Sequence, residues 1–151
     1  MKDTTDKIKV VLVDDDEDDR MLFGDAFSEL NINSELWTFE NGLKFLEYVD
    51  TPKADIPDLI FLDLNMPIMG GIKTLEILRR CDKYKRVPIA ILSTSKNASD
   101  VEITLARGAD IYIIKPSSLS QLKKILGEVV KIQWQNLAYP LNRDNFVLSV
   151  E

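Results

Sequence analysis

The stretch Leu59-Ile60-Phe61-Leu62-Asp63-Leu64-Asn65-Met66-Pro67 decides how the rest of this sequence is interpreted. Its four leading apolar residues are typical of a strand that is buried on both faces of a parallel sheet. Asp63 is therefore expected at the carboxyl end of a central strand, which is the edge where open α/β sheets bind their ligands. Taken alone, this carboxylate is either a solvated loop residue or the reacting group of a site.

Composition and charge exclude several classes of function. A chain of 151 residues favours one domain with a core large enough to fold unaided, and its net charge of −6 argues against a nucleic-acid surface. The single cysteine, Cys81, cannot form an internal disulfide, so a reducing compartment is expected. With no signal peptide and no apolar run of membrane-spanning length, the expected location is the cytoplasm. The absence of histidine excludes Ser-His and Cys-His nucleophiles and histidine-ligated metals.

Four further strands are predicted, at Ile8–Val13, Ser34–Phe39, Val87–Ser93 and Ile111–Ile114. Helices are predicted between them, with core-facing residues at helical spacing: Phe23, Ala26, Phe27 and Leu30; Leu43, Leu46 and Val49; Ile72, Leu75 and Leu78; Val101, Leu105 and Ala106; Leu122, Ile125, Leu126 and Val129. Strands that alternate with helices in this way imply parallel βαβ units with right-handed crossovers. The predicted fold is a doubly wound α/β domain with five strands and five helices.

Polar residues follow four of the five predicted strands. Asp14 and Asp15 follow the first strand, Asp63 the third, Ser93-Thr94-Ser95 ends the fourth, and Lys115 follows the fifth. Because the strands are parallel, these ends meet at one edge of the sheet. The edge therefore gathers three carboxylates, a hydroxyl group and an ammonium group.

This set of groups suits phosphoryl chemistry. Carboxylates that lie close together repel one another, and a hard divalent cation such as Mg²⁺ relieves the repulsion while keeping waters for an incoming phosphate. The cation and a nearby ammonium group neutralise charge on a transferring phosphoryl group. An aspartate can accept that group as an aspartyl-phosphate, and Asp63 is the best placed because it lies at the centre of the sheet.

Each part also has a purely structural interpretation. The acidic run from Asp14 to Asp19 is, taken alone, a solvated helix start with Asp16 as its N-cap. Thr94 alone is a cap or turn residue, and Lys115 alone is a snorkelling surface lysine. Four chemically matched groups on neighbouring strand ends are improbable by chance, so the combination favours a functional site.

With these residues in view, the chain resembles the receiver domain of bacterial two-component response regulators, of the stand-alone chemotaxis type. The resemblance covers roughly residues 8 to 130. It is carried by Val11-Leu12-Val13-Asp14-Asp15, by Asp63-Leu64-Asn65-Met66-Pro67 with Met69-Gly70-Gly71, by Ser93-Thr94-Ser95, and by Tyr112-Ile113-Ile114-Lys115-Pro116. The resemblance implies a flavodoxin-like strand order, 2-1-3-4-5.

The resemblance also implies a phosphoacceptor and a metal site. Asp63 would accept a phosphoryl group from the phosphohistidine of a sensor histidine kinase or phosphotransfer protein. Mg²⁺ would be the cofactor, held by Asp15, Asp63 and the backbone carbonyl of Asn65, with Asp14 acting through its waters. The protein would thus be a phosphoprotein of a two-component phosphorelay.

Two further residues would act on the phosphoryl group in a protein of this type. Thr94 would donate a hydrogen bond to one phosphoryl oxygen, and Lys115 would pair with another. Movement of Thr94 would bring the aromatic ring of Tyr112 inward and repack the face made by helix four, strand five and helix five. The structural alternative for Tyr112 is a partly buried strand aromatic.

The chain is predicted to consist of a receiver domain, residues 1–137, and an apolar C-terminal extension, residues 138–151. The extension is expected to fold back onto the domain; the alternative is a homodimer surface, as in receivers that serve phytochrome-type kinases. No output domain follows residue 130, so the signal is expected to leave by contact with an unknown downstream protein. Neither nucleic acid nor a membrane is an expected partner.

The expected function is that of a phospho-accepting signalling module. Such a module is not an enzyme, although it can catalyse its own phosphorylation and dephosphorylation. Two other functions are alternatives to it. One is a receiver-like scaffold that binds its partner constitutively. The other is a phosphatase of the haloacid dehalogenase type, whose D-x-D motif Asp14 and Asp16 would supply. Asp18 stands where that family has Thr or Val, and the chain is short for its cap domain, so this alternative is the weaker one.

Overall fold

Strands and helices alternate along the chain in the computed structural model, which describes residues 7–132 and 147–148. The strands are β1 (Ile8–Val13), β2 (Ser34–Phe39), β3 (Leu59–Leu62), β4 (Ile89–Ser93), β5 (Ile111–Ile114) and β6 (Val147–Leu148), and the helices are α1 (Glu17–Ser28), α2 (Gly42–Val49), α3 (Gly71–Arg80), α4 (Ala98–Ala106) and α5 (Leu119–Val130). All strand pairs are parallel, in the order β2-β1-β3-β4-β5-β6. The predicted doubly wound fold is confirmed, and the sheet has a short sixth strand in addition.

Alternate side chains of the central strands enter two separate cores, one on each face of the sheet. On β1, Val11 and Val13 pack with α2, α3 and α4, whereas Val10 and Leu12 pack with α1 and α5. All four side chains of β3 are buried, as expected for a strand covered on both faces. Burial on both faces leaves the ends of the strands as the places where polar side chains can gather.

Two helices are rotated relative to the predicted core faces. Leu43 was expected to be buried but is 38% exposed, and Phe45 is buried in its place. Ala106 is exposed at the end of α4, whereas Thr104 is fully buried. The Thr104 hydroxyl group can be buried because it donates hydrogen bonds to the backbone carbonyls of Asp100 and Val101, at 2.9 and 3.0 Å.

The predicted N-cap of α1 agrees with the structure. Asp16 caps α1, since its Oδ1 accepts a hydrogen bond from the backbone N–H of Asp19 at 3.0 Å. Ser118 caps α5, and Gly108, just after α4, has φ of 100°. The predicted fourth strand is two residues too long: β4 begins at Ile89, after Pro88, which has no N–H for the strand pairing.

The described part of the C-terminal extension pairs with β5. Val147 and Leu148 align with Tyr112 and Ile113 in parallel register. The predicted boundary between residues 137 and 138 and the rest of the extension lie outside the described residues. Among the described residues, no helix is both long enough and apolar enough to cross a bilayer.

Candidate functional site

Hydrogen bonds that continue one residue past three of the strands hold the backbone of the site. The N–H of Asp14 donates to a β2 carbonyl at 3.0 Å, that of Asp63 to a β1 carbonyl at 2.9 Å, and that of Lys115 to a β4 carbonyl at 2.8 Å. Each of these residues is thereby fixed at the carboxyl edge of the sheet. Asp14 and Asp63 follow neighbouring strands at the point where the strand order reverses, which is the usual ligand-binding position in this type of sheet.

Three carboxylates meet at this edge. Asp14, Asp15 and Asp63, here called the acidic trio, each place one carboxylate oxygen within 4.8 Å of the others. Asp14 is 1% exposed and Asp63 is 8% exposed, whereas Asp15 is open to solvent. The trio therefore forms a pocket of hard oxygen ligands with one open side.

The pKa of Asp63 is raised from 3.8 to about 7. Burial is the main cause; the positive charge of Lys115 opposes the rise, and the negative charges of Asp14 and Asp15 add to it. Burial also raises the pKa of Asp14. The site thus concentrates negative charge where water cannot fully solvate it.

This donor set fits Mg²⁺, which prefers carboxylate oxygens and retains waters on its remaining positions. The pKa of Asp63 is raised mainly by burial, with the negative charges of Asp14 and Asp15 adding to it, and a divalent cation would favour the ionised form against both. Asp15 is exposed, so water can reach the acidic trio from this side. The residues present are therefore suited to the predicted cofactor.

A glycine brings α3 against the backbone of Asp63. A Cβ atom added to Gly71 would lie 2.2 Å from the carbonyl oxygen of Asp63 and 2.8 Å from the Cα of Leu64. The N–H of Gly71 donates to the carbonyl of Leu64 at 2.9 Å, which closes the loop. Only glycine can occupy this position without moving the segment that carries Asp63.

Lys115 reaches the site from β5, but it does not pair with Asp63. Its Nζ lies 3.0 Å from Oδ2 of Asp14 and 2.9 Å from Oδ2 of Asp19, and these are its ion pairs among the described residues. Burial lowers the pKa of Lys115, but the hydrogen bond to Asp19 and the charges of Asp14 and Asp63 outweigh it, so the net change is upward. Lys115 is therefore a charged, nearly buried ammonium group.

The pairing of Asp19 with Lys115 was not predicted from the sequence. Asp19 lies in a run of six consecutive acidic residues, and the run itself gives no indication which of them faces the site. The third position after the Asp16 cap turns its side chain back along the helix, toward the strand ends. The position of Asp19 relative to the N-cap was therefore the feature of the sequence that could have indicated its contact with Lys115.

Serine and tyrosine groups shape the loop after β4. The hydroxyl group of Ser95 donates a hydrogen bond to the carboxylate of Asp100 at 2.5 Å. The backbone carbonyl of Ser95 accepts a hydrogen bond from the hydroxyl group of Tyr112 at 2.9 Å. The ring of Tyr112 is fully buried. Thr94, next to Ser95, is exposed at the edge of the sheet. The hydrogen bonds of Ser95 and Tyr112 thus connect the loop that carries Thr94 to β5.

The loop between β3 and α3 contains a strained turn beside Asp63. Ile68 has φ of 70° and is 78% exposed, and the N–H of Met69 donates to the carbonyl of Pro67 at 2.7 Å. A positive φ at the centre of a three-residue turn is strained for any non-glycine residue, and most of all for a β-branched one. Asn65 is exposed in the same loop. The sequence pattern did not predict this turn.

The chain is similar to known proteins over most of its length. Residues 10–127 match the family model of the response regulator receiver domain. The response regulator Rcp1 of Synechocystis is 28% identical over 148 residues, which cover 93% of this chain and 99% of Rcp1.

Two solved structures are similar over nearly the whole chain. The phosphorylated cyanobacterial phytochrome response regulator RcpA has a TM-score of 0.78 and 31% identity, and the match covers 88% of this chain and 97% of RcpA. The Mn(2+)-bound form of Rcp1 has a TM-score of 0.75 and 25% identity, with 89% and 99% covered. This chain belongs to the response regulator receiver family of two-component systems, whose members are signalling modules.

Proposed function

We propose that this protein accepts a phosphoryl group on Asp63 from a sensor histidine kinase or phosphotransfer protein, in the cytoplasm and with Mg²⁺ as cofactor. The observation that carries the proposal is the acidic trio beside Lys115 at the carboxyl edge of the sheet. The family match supports it, since the matched residues, 10–127, include the acidic trio and Lys115.

Each residue of the trio has a distinct role in the proposed reaction. Asp63 would attack phosphorus with a carboxylate oxygen while the bond from phosphorus to the imidazole nitrogen breaks. The electron pair of that bond stays on the nitrogen, and the ring, which carries a proton on its other nitrogen, leaves as neutral imidazole. Mg²⁺, held by Asp15, Asp63 and the backbone carbonyl of Asn65, with Asp14 acting through its waters, would neutralise the charge on the transferring group. Because the pKa of Asp63 is about 7 without metal, the cation would also keep Asp63 ionised at neutral pH.

Two groups would complete the site around the phosphoryl oxygens. Thr94 is exposed at the end of β4 and would donate its hydroxyl hydrogen to one oxygen. Lys115 would pair with another oxygen, and its ammonium group already lies beside the trio. Thr94 directly follows β4 and Lys115 directly follows β5, so both lie at the same carboxyl edge of the sheet as Asp63.

The signal would leave through the face made by α4, β5 and α5. The Tyr112 hydroxyl bonds the carbonyl of Ser95, so a shift of Thr94 toward a phosphoryl group would pull on the contact that holds the Tyr112 ring. The downstream partner would be a protein that binds this face in only one of its two states.

The phosphodonor protein would dock around the acidic trio. Several large exposed apolar residues lie near the same edge of the sheet, among them Met21 on the second turn of α1, Ile68 in the β3–α3 loop and Leu119 at the start of α5. Exposed apolar surface is a common feature of sites that bind other proteins. This position is consistent with a helix that carries the phosphohistidine.

The extension, residues 138–151, would act as a second contact region. Val147 and Leu148 pair with β5, next to Tyr112, so the extension meets the proposed output face. We propose that it either covers that face within one molecule or helps to form a homodimer. Measuring the molar mass in solution, with and without residues 138–151, distinguishes these two possibilities. If both proteins have the mass of a monomer, the homodimer is excluded.

The central experiment measures intact mass after incubation with Mg²⁺ and a small phosphodonor. A labile adduct of one phosphate is expected in the wild type and is expected to be missing in Asp63→Asn and in samples with a metal chelator. Urea unfolding of the variant shows whether it still folds. No adduct in the wild type under any condition would favour a constitutive scaffold, and catalytic turnover that depends on Asp14 would favour a phosphatase.

A further inference from the structure

The ammonium group of Lys115 is shared between two carboxylates with different positions in the site. Asp14 belongs to the acidic trio, whereas Asp19 does not. The two N–O distances, 3.0 and 2.9 Å, are those of direct charge-assisted hydrogen bonds. The side chain of Lys115 is 13% exposed and that of Asp19 is 40% exposed. Asp19 therefore holds a nearly buried lysine from the solvent side.

The cap of α1 explains why the side chain of Asp19 is available. An acidic residue at this position of a helix usually accepts a hydrogen bond from the N–H of the capping residue. Here the N–H of the cap, Asp16, donates instead to Oδ1 of Asp14 at 3.0 Å. The carboxylate of Asp19 is left to face Lys115.

We propose that Asp19 is a positioning residue that restrains Lys115 in the unphosphorylated protein and gives it up when a phosphoryl group forms on Asp63. The second half of this statement rests on the proposed function. A cation bound by the trio would draw on the charge of Asp14, but Asp19 lies outside the trio and would keep its hold on the ammonium group. Asp19 and the phosphoryl group would then compete for the same lysine.

The exposure of the two partners makes this competition workable. Asp19 is open enough for water to solvate its carboxylate once Lys115 has left. Lys115 is too buried to be released to water alone, so its charge needs another anionic partner. A phosphoryl group on Asp63 would be that partner.

Replacing Asp19 should therefore favour the phosphorylated state. In Asp19→Asn the side chain keeps its size but loses its charge. With Mg²⁺ present, we expect this variant to bind the phosphoryl analogue beryllium trifluoride about two- to five-fold more tightly than the wild type. Its rate of phosphorylation by a small phosphodonor should rise by a similar factor.

The matched control is Asp18→Asn. Asp18 is the preceding residue in the same helical turn, is exposed, and has no ion pair with Lys115 among the described contacts. The two variants change the net charge and the helix N-terminus equally. Asp18→Asn should leave the affinity for beryllium trifluoride close to that of the wild type.

A second measurement tests the restraint without metal or phosphate. In the metal-free wild type, the NMR signal of the Lys115 ammonium group should show slow exchange of its protons with water, and Asp19→Asn should accelerate that exchange. Unchanged exchange in Asp19→Asn, unchanged or weaker binding of beryllium trifluoride, or an equal gain in Asp18→Asn would each overturn the proposal. A wild type that binds no beryllium trifluoride and forms no phosphate adduct would instead contradict the proposed function, while proton exchange would still decide whether Asp19 holds the lysine.

Discussion

Removing the charge of Asp63 should stabilise the metal-free protein at alkaline pH. The carboxyl group is 8% exposed and faces the negative charges of Asp14 and Asp15, so its ionised form is disfavoured in the folded state. In Asp63→Asn the side chain has nearly the same shape and cannot ionise. The variant is therefore expected to be more stable than the wild type whenever the unfolded chain would carry a charge at this position.

The direction and size of the effect follow from the pKa of Asp63, which is 3.8 in the reference state and about 7 in the folded protein. Between these two values the folded state binds more protons than the unfolded state, so the stability of the wild type falls as pH rises through this window. The full difference corresponds to about 4 kcal/mol as an upper limit, at 1.36 kcal/mol for each pH unit. Because local relaxation and water entry reduce such penalties, the expected gain for Asp63→Asn at pH 8 is roughly 2 kcal/mol.

Urea unfolding in the presence of a metal chelator measures this difference. The midpoint for Asp63→Asn should exceed that of the wild type at pH 8, and the gap should shrink to less than half at pH 5, with equal slopes in urea. Asp25→Asn is the control, because Asp25 is exposed in the middle of α1, and its effect should stay within about 0.5 kcal/mol. If Asp63→Asn is no more stable at pH 8, or if its advantage is the same at pH 5, the buried charge does not destabilise the site as argued.

Three further predictions follow from the same edge of the sheet. Mg²⁺ should raise the melting temperature of the wild type at pH 8, and most of this gain should be lost in Asp15→Asn, as differential scanning calorimetry would show. Gly71→Ala should lower the free energy of unfolding by more than about 2 kcal/mol, since its Cβ would lie 2.2 Å from the carbonyl oxygen of Asp63; a neutral result in urea unfolding would mean that α3 can shift freely. Ile68→Gly should raise that free energy by about 1 kcal/mol, because glycine tolerates a φ of 70°, and a loss of stability would show that the apolar side chain of Ile68 matters more than its backbone strain.

The strand ends could be predicted from the sequence because the apolar runs leave little choice. Four apolar residues before Asp63 require a strand covered on both faces, and parallel strands bring their carboxyl ends together. This reasoning placed Asp14, Asp63 and Lys115 at one edge without any knowledge of their contacts. The geometry of the acidic trio is a consequence of sheet topology.

Contacts that depend on the rotation of a helix could not be predicted in the same way. Leu43 and Phe45 are both apolar and two residues apart, and only the packing of α2 in the fold decides which of them is buried. For the same reason, the contact of Asp19 with Lys115 could not be predicted, since the neighbouring acidic residues carry the same functional group. The two-residue strand β6 was also beyond the pattern, because an apolar tail contains many segments equally suited to pair with β5.

A second ionic cluster, at the opposite edge of the sheet, shows what a purely structural set of charges looks like in this protein. Nη2 of Arg79 lies 2.8 Å from Oδ2 of Asp110, and both side chains are mostly buried. Arg79 also donates to the carbonyls of Gly108 and Val87, at 2.8 Å each, and Asp110 accepts from the N–H of Ile89 at 2.9 Å. The ion pair is supported by surrounding backbone groups, which accept hydrogen bonds from Arg79 and donate one to Asp110.

The carboxyl edge of the sheet also combines acidic and basic side chains, but there the carboxylates are more numerous. The acidic trio and Asp19 together carry four carboxylates, whereas Lys115 is the ammonium group that pairs with two of them. A cluster that served only the fold would gain from removing the surplus charge, since uncompensated buried charge costs stability. Under the proposed function, a cation and then a phosphoryl group would offset this concentration of carboxylates. The close approach of three carboxylates at this edge is therefore a physical argument, separate from the family match, that supports the proposed role of Asp63.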